Sequence, residues 1–72
     1  MPPLIVCKRF RYKEDVCFIM KAQNGLYQNW YDVRKDDFGD WYPSSTAGLF
    51  DSLDEAVTAM KKHRPMVEEV GL

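Results

Sequence analysis

The stretch Gly48 to Pro65, GLFDSLDEAVTAMKKHRP, constrains this chain more than any other, because it marks its own start, interior and stop. Ser52 is placed to act as N-cap, with Glu55 three residues on to reach back to the Ser52 N–H in a capping box. Asp54 and Glu55 suit the positive end of the helix dipole, and Lys61, Lys62, His63 and Arg64 suit the negative end. Pro65 stops the run. Leu53, Ala56, Val57 and Met60 recur at i, i+3, i+4 and i+7, so the spacing predicts a helix over 52–64 with one apolar stripe. Leu49 and Phe50 are expected to close its N-terminal approach. The remainder of the chain must supply a surface to receive that stripe.

Three segments read as strands. After a lead-in, Met1-Pro2-Pro3, residues 4–11 (LIVCKRFR) are rich in β-branched and aromatic types. The polar turn Tyr12 to Asp15 leads to 16–23 (VCFIMKAQ), and Asn24-Gly25 then signals a type I′ hairpin into 26–35 (LYQNWYDVRK). Residues 36–47 are turn-rich, with Trp41-Tyr42 as a short edge strand ended by Pro43. The tail from Met66 is expected to form a short turn. This predicts an α+β fold: an antiparallel meander of three strands, with room for a short fourth, packed on one C-terminal helix.

A two-residue Asn24-Gly25 turn sets a register in which Phe18 faces Tyr31, Met20 faces Asn29, Ile19 faces Trp30 and Cys17 faces Asp32. Pairing Phe10 with Phe18 and Val6 with Ala22 buries the most carbon in the first hairpin. The helix-facing side would then hold Leu4, Val6, Phe10, Val16, Phe18, Met20, Ala22, Tyr27, Tyr31 and Val33. The other side, left open, would carry Arg9, Arg11, Cys17, Ile19, Lys21, Gln28, Trp30, Asp32 and Arg34.

Seventy-two residues suffice for one domain with a modest core, and 46% hydrophobic content is enough to fold it. No apolar run is long enough to cross a membrane, and MPPLIV lacks the character of a secretory signal, so a cytoplasmic location is expected. Cys7 and Cys17 do not face each other in the register above and are read as free thiols. His63 sits among lysines at the helix end, a surface role. Asp36, Asp37 and Asp40 lack the spacing of a calcium loop, and no glycine-rich phosphate loop or nucleophile with a base is evident. No metal, cofactor or catalytic activity is expected.

Binding remains, in two forms. In the first, a protein partner docks on Arg9, Arg11, Ile19, Lys21, Trp30 and Arg34 of the open side and on the aromatic loop Phe38, Trp41 and Tyr42. Tyr, Trp and Arg are the types that dominate interface hot spots. Such a module would act as a stoichiometric regulator or inhibitor, of the kind phages and other mobile elements encode. In the second, the same side is a nucleic-acid platform, with Arg9, Arg11, Lys21 and Arg34 on phosphates and Trp30 stacked on a base. The net charge of −1, Asp32 within the patch and the acidic loop beside it favour the protein partner. Self-association through strand one, strand three or the Ile19–Trp30 surface is a further expectation.

From Asn29 to Lys62, a Trp-bearing strand, an Asp- and Gly-containing loop and the FDSLDEA helix start resemble in their order the second half of a WGR domain, a small module associated with nucleic acid in repair proteins. The likeness covers less than half of the chain. Where the defining Trp-Gly-Arg triplet would fall, this sequence has Trp30-Tyr31-Asp32 or Asp40-Trp41-Tyr42, so no functional residue is carried over.

Overall fold

The computed structural model describes residues 4–71; the Met1–Pro3 lead-in and Leu72 lie outside the described residues. The fold is α+β. Five antiparallel strands form one open sheet in the order β6-β3-β2-β1-β7: β1 (Ile5–Tyr12), β2 (Asp15–Lys21), β3 (Tyr27–Tyr31), β6 (Ser45–Phe50) and β7 (Glu68–Val70). The helix α1 (Leu53–His63) covers one side, and a small hairpin of β4 (Arg34–Lys35) with β5 (Trp41–Tyr42) lies against the other.

The helix forms where its signals place it. Ser52 is the N-cap, its hydroxyl accepting the Glu55 N–H at 3.2 Å. The Glu55 carboxylate reaches one residue further back than a capping box would, accepting the Asp51 N–H at 3.1 Å. Ala56 and Met60 are fully buried, with Leu53 and Val57 packed beside them. Leu49 does not close the approach to the helix as expected; it stands 67% exposed.

The central hairpin differs from expectation by one residue. Ala22 N–H donates to the Leu26 carbonyl and Gly25 N–H to the Ala22 carbonyl, both at 3.0 Å, with Gly25 at φ 86°. Asn24 does not take a positive φ, so the loop holds three residues, Gln23 to Gly25, rather than the two of a type I′ turn. The Asn24 side chain accepts the Leu26 N–H at 3.0 Å and fixes this choice. Phe18 therefore pairs with Trp30, Ile19 with Asn29 and Met20 with Gln28. A slip of one exchanges faces. The first hairpin departs similarly: Phe10 pairs with Cys17 and Arg9 with Phe18, and an irregularity between Val6 and Lys8 brings Val6 opposite Met20.

Under the helix lie Phe10, Cys17, Ile19 and Tyr31, with Ala56 and Met60 closing the cluster from above. Phe18, Met20 and Val33 form a second buried cluster on the opposite side, with Val6, Val16 and Trp30 at its margin. Ile19 and Cys17 were expected on the open side, and Phe18, Met20, Val16, Val6 and Val33 under the helix; each lies on the reverse. The far side is also not open at its centre. Cys7 and Cys17 are both free thiols, and burial pushes the Cys17 thiol pKa up.

Strand three ends at Tyr31 instead of running to residue 35. Asp32 takes a left-handed φ of 51°, a conformation Asp tolerates, and turns the chain out of the main sheet. Val33 N–H then bonds the Val16 carbonyl at 2.8 Å, and Ser44 N–H returns to the Tyr31 carbonyl at 3.0 Å. Two strands appear where turns were expected. The segment Ser45–Phe50 becomes an edge through pairing with β3, which its Ser, Gly and Ala content does not advertise. In the tail, Pro65 and Met66 (φ 69°) reverse the chain, with Val67 N–H on the Arg64 carbonyl at 3.1 Å, and Glu68–Val70 then pairs with β1.

One polar network ties helix to sheet. Asn29, fully buried, donates to the Ala56 carbonyl at 3.0 Å and to the Tyr31 hydroxyl at 3.3 Å. At the other end of the helix, the Arg64 guanidinium bonds Asp32 Oδ2 at 3.0 Å and lies over the Tyr31 ring, 4.9 Å from its centroid. These polar contacts fix where the helix sits along β3.

Candidate partner-binding surface

The hairpin β4–β5 is built around one side chain. Asp36 Oδ1 accepts the Phe38 N–H at 2.9 Å and the Asp40 N–H at 2.8 Å, while the Asp36 and Gly39 N–H groups bond the Asp40 and Asp36 carbonyls. Gly39 supplies the positive φ of 85° that the reversal needs. The acidic loop thus uses a carboxylate to tie its own backbone, as an Asx turn does. The consequence is a stapled tip on which the Phe38 ring stands 91% exposed.

Trp41, next along, has two environments. Its ring meets Phe18 edge to face, with centroids 5.9 Å apart, and anchors the hairpin to the second buried cluster. Half of its surface still faces water, and the Lys35 ammonium sits 5.1 Å from its ring centroid. Lys35 pairs directly with Trp41 across the hairpin, a contact invisible until that pairing is known. Tyr42 is exposed beside it.

Between the hairpin and the sheet is a recess of about 300 Å³, lined by Val16, Phe18, Trp41 and Val70 and rimmed by Arg9 and Arg11. The two arginines are alternate residues of β1 and share its far face. Both are engaged by the last strand. Arg9 Nε donates to the Gly71 carbonyl at 3.1 Å, its Nη2 does likewise, and Arg11 lies 3.4 Å from the Glu68 carboxylate.

The nine residues expected to form one surface are not all brought together. Arg9, Arg11, Trp41 and the half-buried Trp30 share the far side, with Trp30 Nε1–H on Gln28 Oε1 at 2.8 Å. Phe38 and Tyr42 extend it along the hairpin. Arg34 lies at the margin and pairs with Asp15 at 2.8 Å. Ile19 does not belong to the surface, being fully buried beneath the helix. Lys21 is two residues along the same strand and so projects to the helix side, 5.6 Å from the Tyr27 ring centroid. The register slip accounts for both displacements.

Among the described residues, no cluster of three or more His, Cys, Asp or Glu is placed to hold a metal ion, and no helix is long and apolar enough to cross a membrane. Compared with known protein families, with curated proteins and with solved structures, the chain matches none.

Proposed function

We propose that this domain is a non-catalytic binding module that docks a protein partner through the aromatic hairpin Phe38, Trp41 and Tyr42 and the arginine-rimmed recess beside it. The observation that carries this reading is Phe38: a phenyl ring almost wholly in water, on a tip stapled by three hydrogen bonds. Such a ring gives the fold little, yet a partner that covers it gains a large apolar area at small entropic cost. Trp41 adds a second anchor, and the recess supplies the concavity. The size and single surface suit a stoichiometric regulator or inhibitor of a larger assembly.

A nucleic-acid reading draws less support. Arg11 and Arg34 are paired with carboxylates, Arg9 with a carbonyl, and Lys21 projects to the other side, so no row of free cations faces outward with Trp30. Affinity capture from a lysate tests the proposal, comparing the wild-type chain with Phe38→Ala and Trp41→Ala. A partner held by the wild type and released by Phe38→Ala, at unchanged melting temperature, is the expected result. A partner retained by both variants, or salt-sensitive binding to DNA lost with Arg9→Ala, would overturn it.

A further inference from the structure

A second surface lies on the opposite side of the sheet, along the flank where α1 meets the edge strand β6. Here Leu49, Phe50, Glu55, Thr58, Ala59 and Lys62 line a groove of about 540 Å³, and a smaller hollow by Ala47 and His63 continues it. β6 has β3 as its one neighbour, so its outer backbone groups have no strand beside them. Gly48, at φ 118°, makes a bulge in β6 where a Cβ would come within 2.7 Å of the Phe50 ring. The bulge is followed by Leu49, which is held outward at the groove's rim.

The charges along this flank are arranged differently from those of the far side. Lys8, Arg11, Arg34 and Arg64 each have a carboxylate partner within the chain, whereas Asp54, Glu55 and Lys62 have no ion-pair partner among the described residues. Acidic groups occupy the first helical turn and basic groups the last, with the small residues Thr58 and Ala59 between them. The helix dipole accounts for that polarity within one copy. It also makes the flank self-complementary. Glu55 and Lys62 are equidistant from the midpoint between Thr58 and Ala59, about 10 Å apart along the axis. A two-fold rotation through that midpoint brings each Glu55 to the other copy's Lys62, with the small residues allowing close approach. A uniformly acidic or basic segment would match only one end of the groove, but a second copy matches both.

We infer that the α1–β6 flank is a symmetric self-association surface: two copies pack their helices antiparallel through Thr58 and Ala59, each inserting Leu49 into the other's groove. The aromatic hairpins lie on the opposite side of each sheet and stay free, so the inference is independent of the proposed partner site. Sedimentation over a protein concentration series tests it. A dimer mass is expected at high concentration, weakened about tenfold by Lys62→Glu, by Leu49→Glu and by raised salt. An equimolar mixture of the Lys62→Glu and Glu55→Lys chains should form the dimer again, because each reversed charge meets the other. Asp54→Lys serves as the second reversal should loss of the Glu55 cap lower the melting point. Monomer mass throughout, a dimer indifferent to Lys62→Glu and Leu49→Glu, or a mixture that stays monomeric would overturn the inference.

Discussion

The two sides of the sheet bury their side chains by different means. Under α1, Phe10, Cys17, Ile19, Tyr31, Ala56 and Met60 are closed off almost completely. Beneath the β4–β5 hairpin, Phe18, Met20 and Val33 are buried but leave a recess, and the covering Trp41 is itself half in water. A helix of eleven residues seals a face because one continuous stripe descends on it. A hairpin of two short strands contributes essentially one ring. The helix side therefore carries stability, and the hairpin side, poorer at excluding water, has surface to spare for a partner.

Substitutions in the two clusters should separate these roles most strongly. Phe10→Ala is expected to cost roughly 3–5 kcal/mol, enough to unfold most of a domain this small, since the helix fixes the walls of the cavity. Phe18→Ala should cost less, roughly 2–3 kcal/mol, because the hairpin above it can settle inward. Urea denaturation of both variants checks the order, and equal losses would erase the distinction between the two covers. Next in size is Arg64→Met. The Asp32 carboxylate it abandons has a second oxygen, Oδ1, that is already buried without a partner, so a loss of about 1–3 kcal/mol is expected. Arg34→Met, which breaks an exposed pair with Asp15, should cost under about 1 kcal/mol in the same assay.

Much of this arrangement could be read from the sequence, and the failures have a common origin. The helix was legible because cap, stripe, charges and Pro65 agree. The strands of β1 to β3 were legible from composition. Their faces were not, because Asn24-Gly25 serves a three-residue loop as readily as a two-residue one, and a single residue decides which side each chain position takes. One signal in the sequence did point the right way. Val16 to Met20 is an unbroken apolar run, and such a run marks a strand covered on both faces rather than one with an open side. β6 and β7 were hidden because neither has strand character of its own; each exists by pairing with an edge already formed. Of the candidate site, the aromatic loop survives intact, while Ile19 and Lys21 were lost with the register.

A smaller effect probes the helix side through pH. Burial raises the Cys17 pKa in the folded state, so the native chain keeps a proton there that the unfolded chain releases. The stability this contributes is fully present below the unfolded thiol's value of about 8.5 and is lost as pH rises toward the folded one. Melting temperatures of the wild type and Cys17→Ala should therefore converge as the medium becomes alkaline. Parallel curves would mean that the thiol is not sheltered beneath the helix. The smallest stability change is expected at the hairpin tip: Phe38→Ala should lie within about 0.5 kcal/mol of the wild type, even though it removes partner binding.

The division of labour between the two sides rests on the register of β2 against β3, and nuclear Overhauser contacts in solution read that register directly. The structure requires contacts from Ile19 to Met60 and Ala56, and from Phe18 to Trp41 and Trp30, with the Phe38 ring showing none beyond its own hairpin. Contacts from Phe18 or Trp30 to the methyl groups of Ala56 and Val57 would place the wrong face beneath the helix and contradict the account.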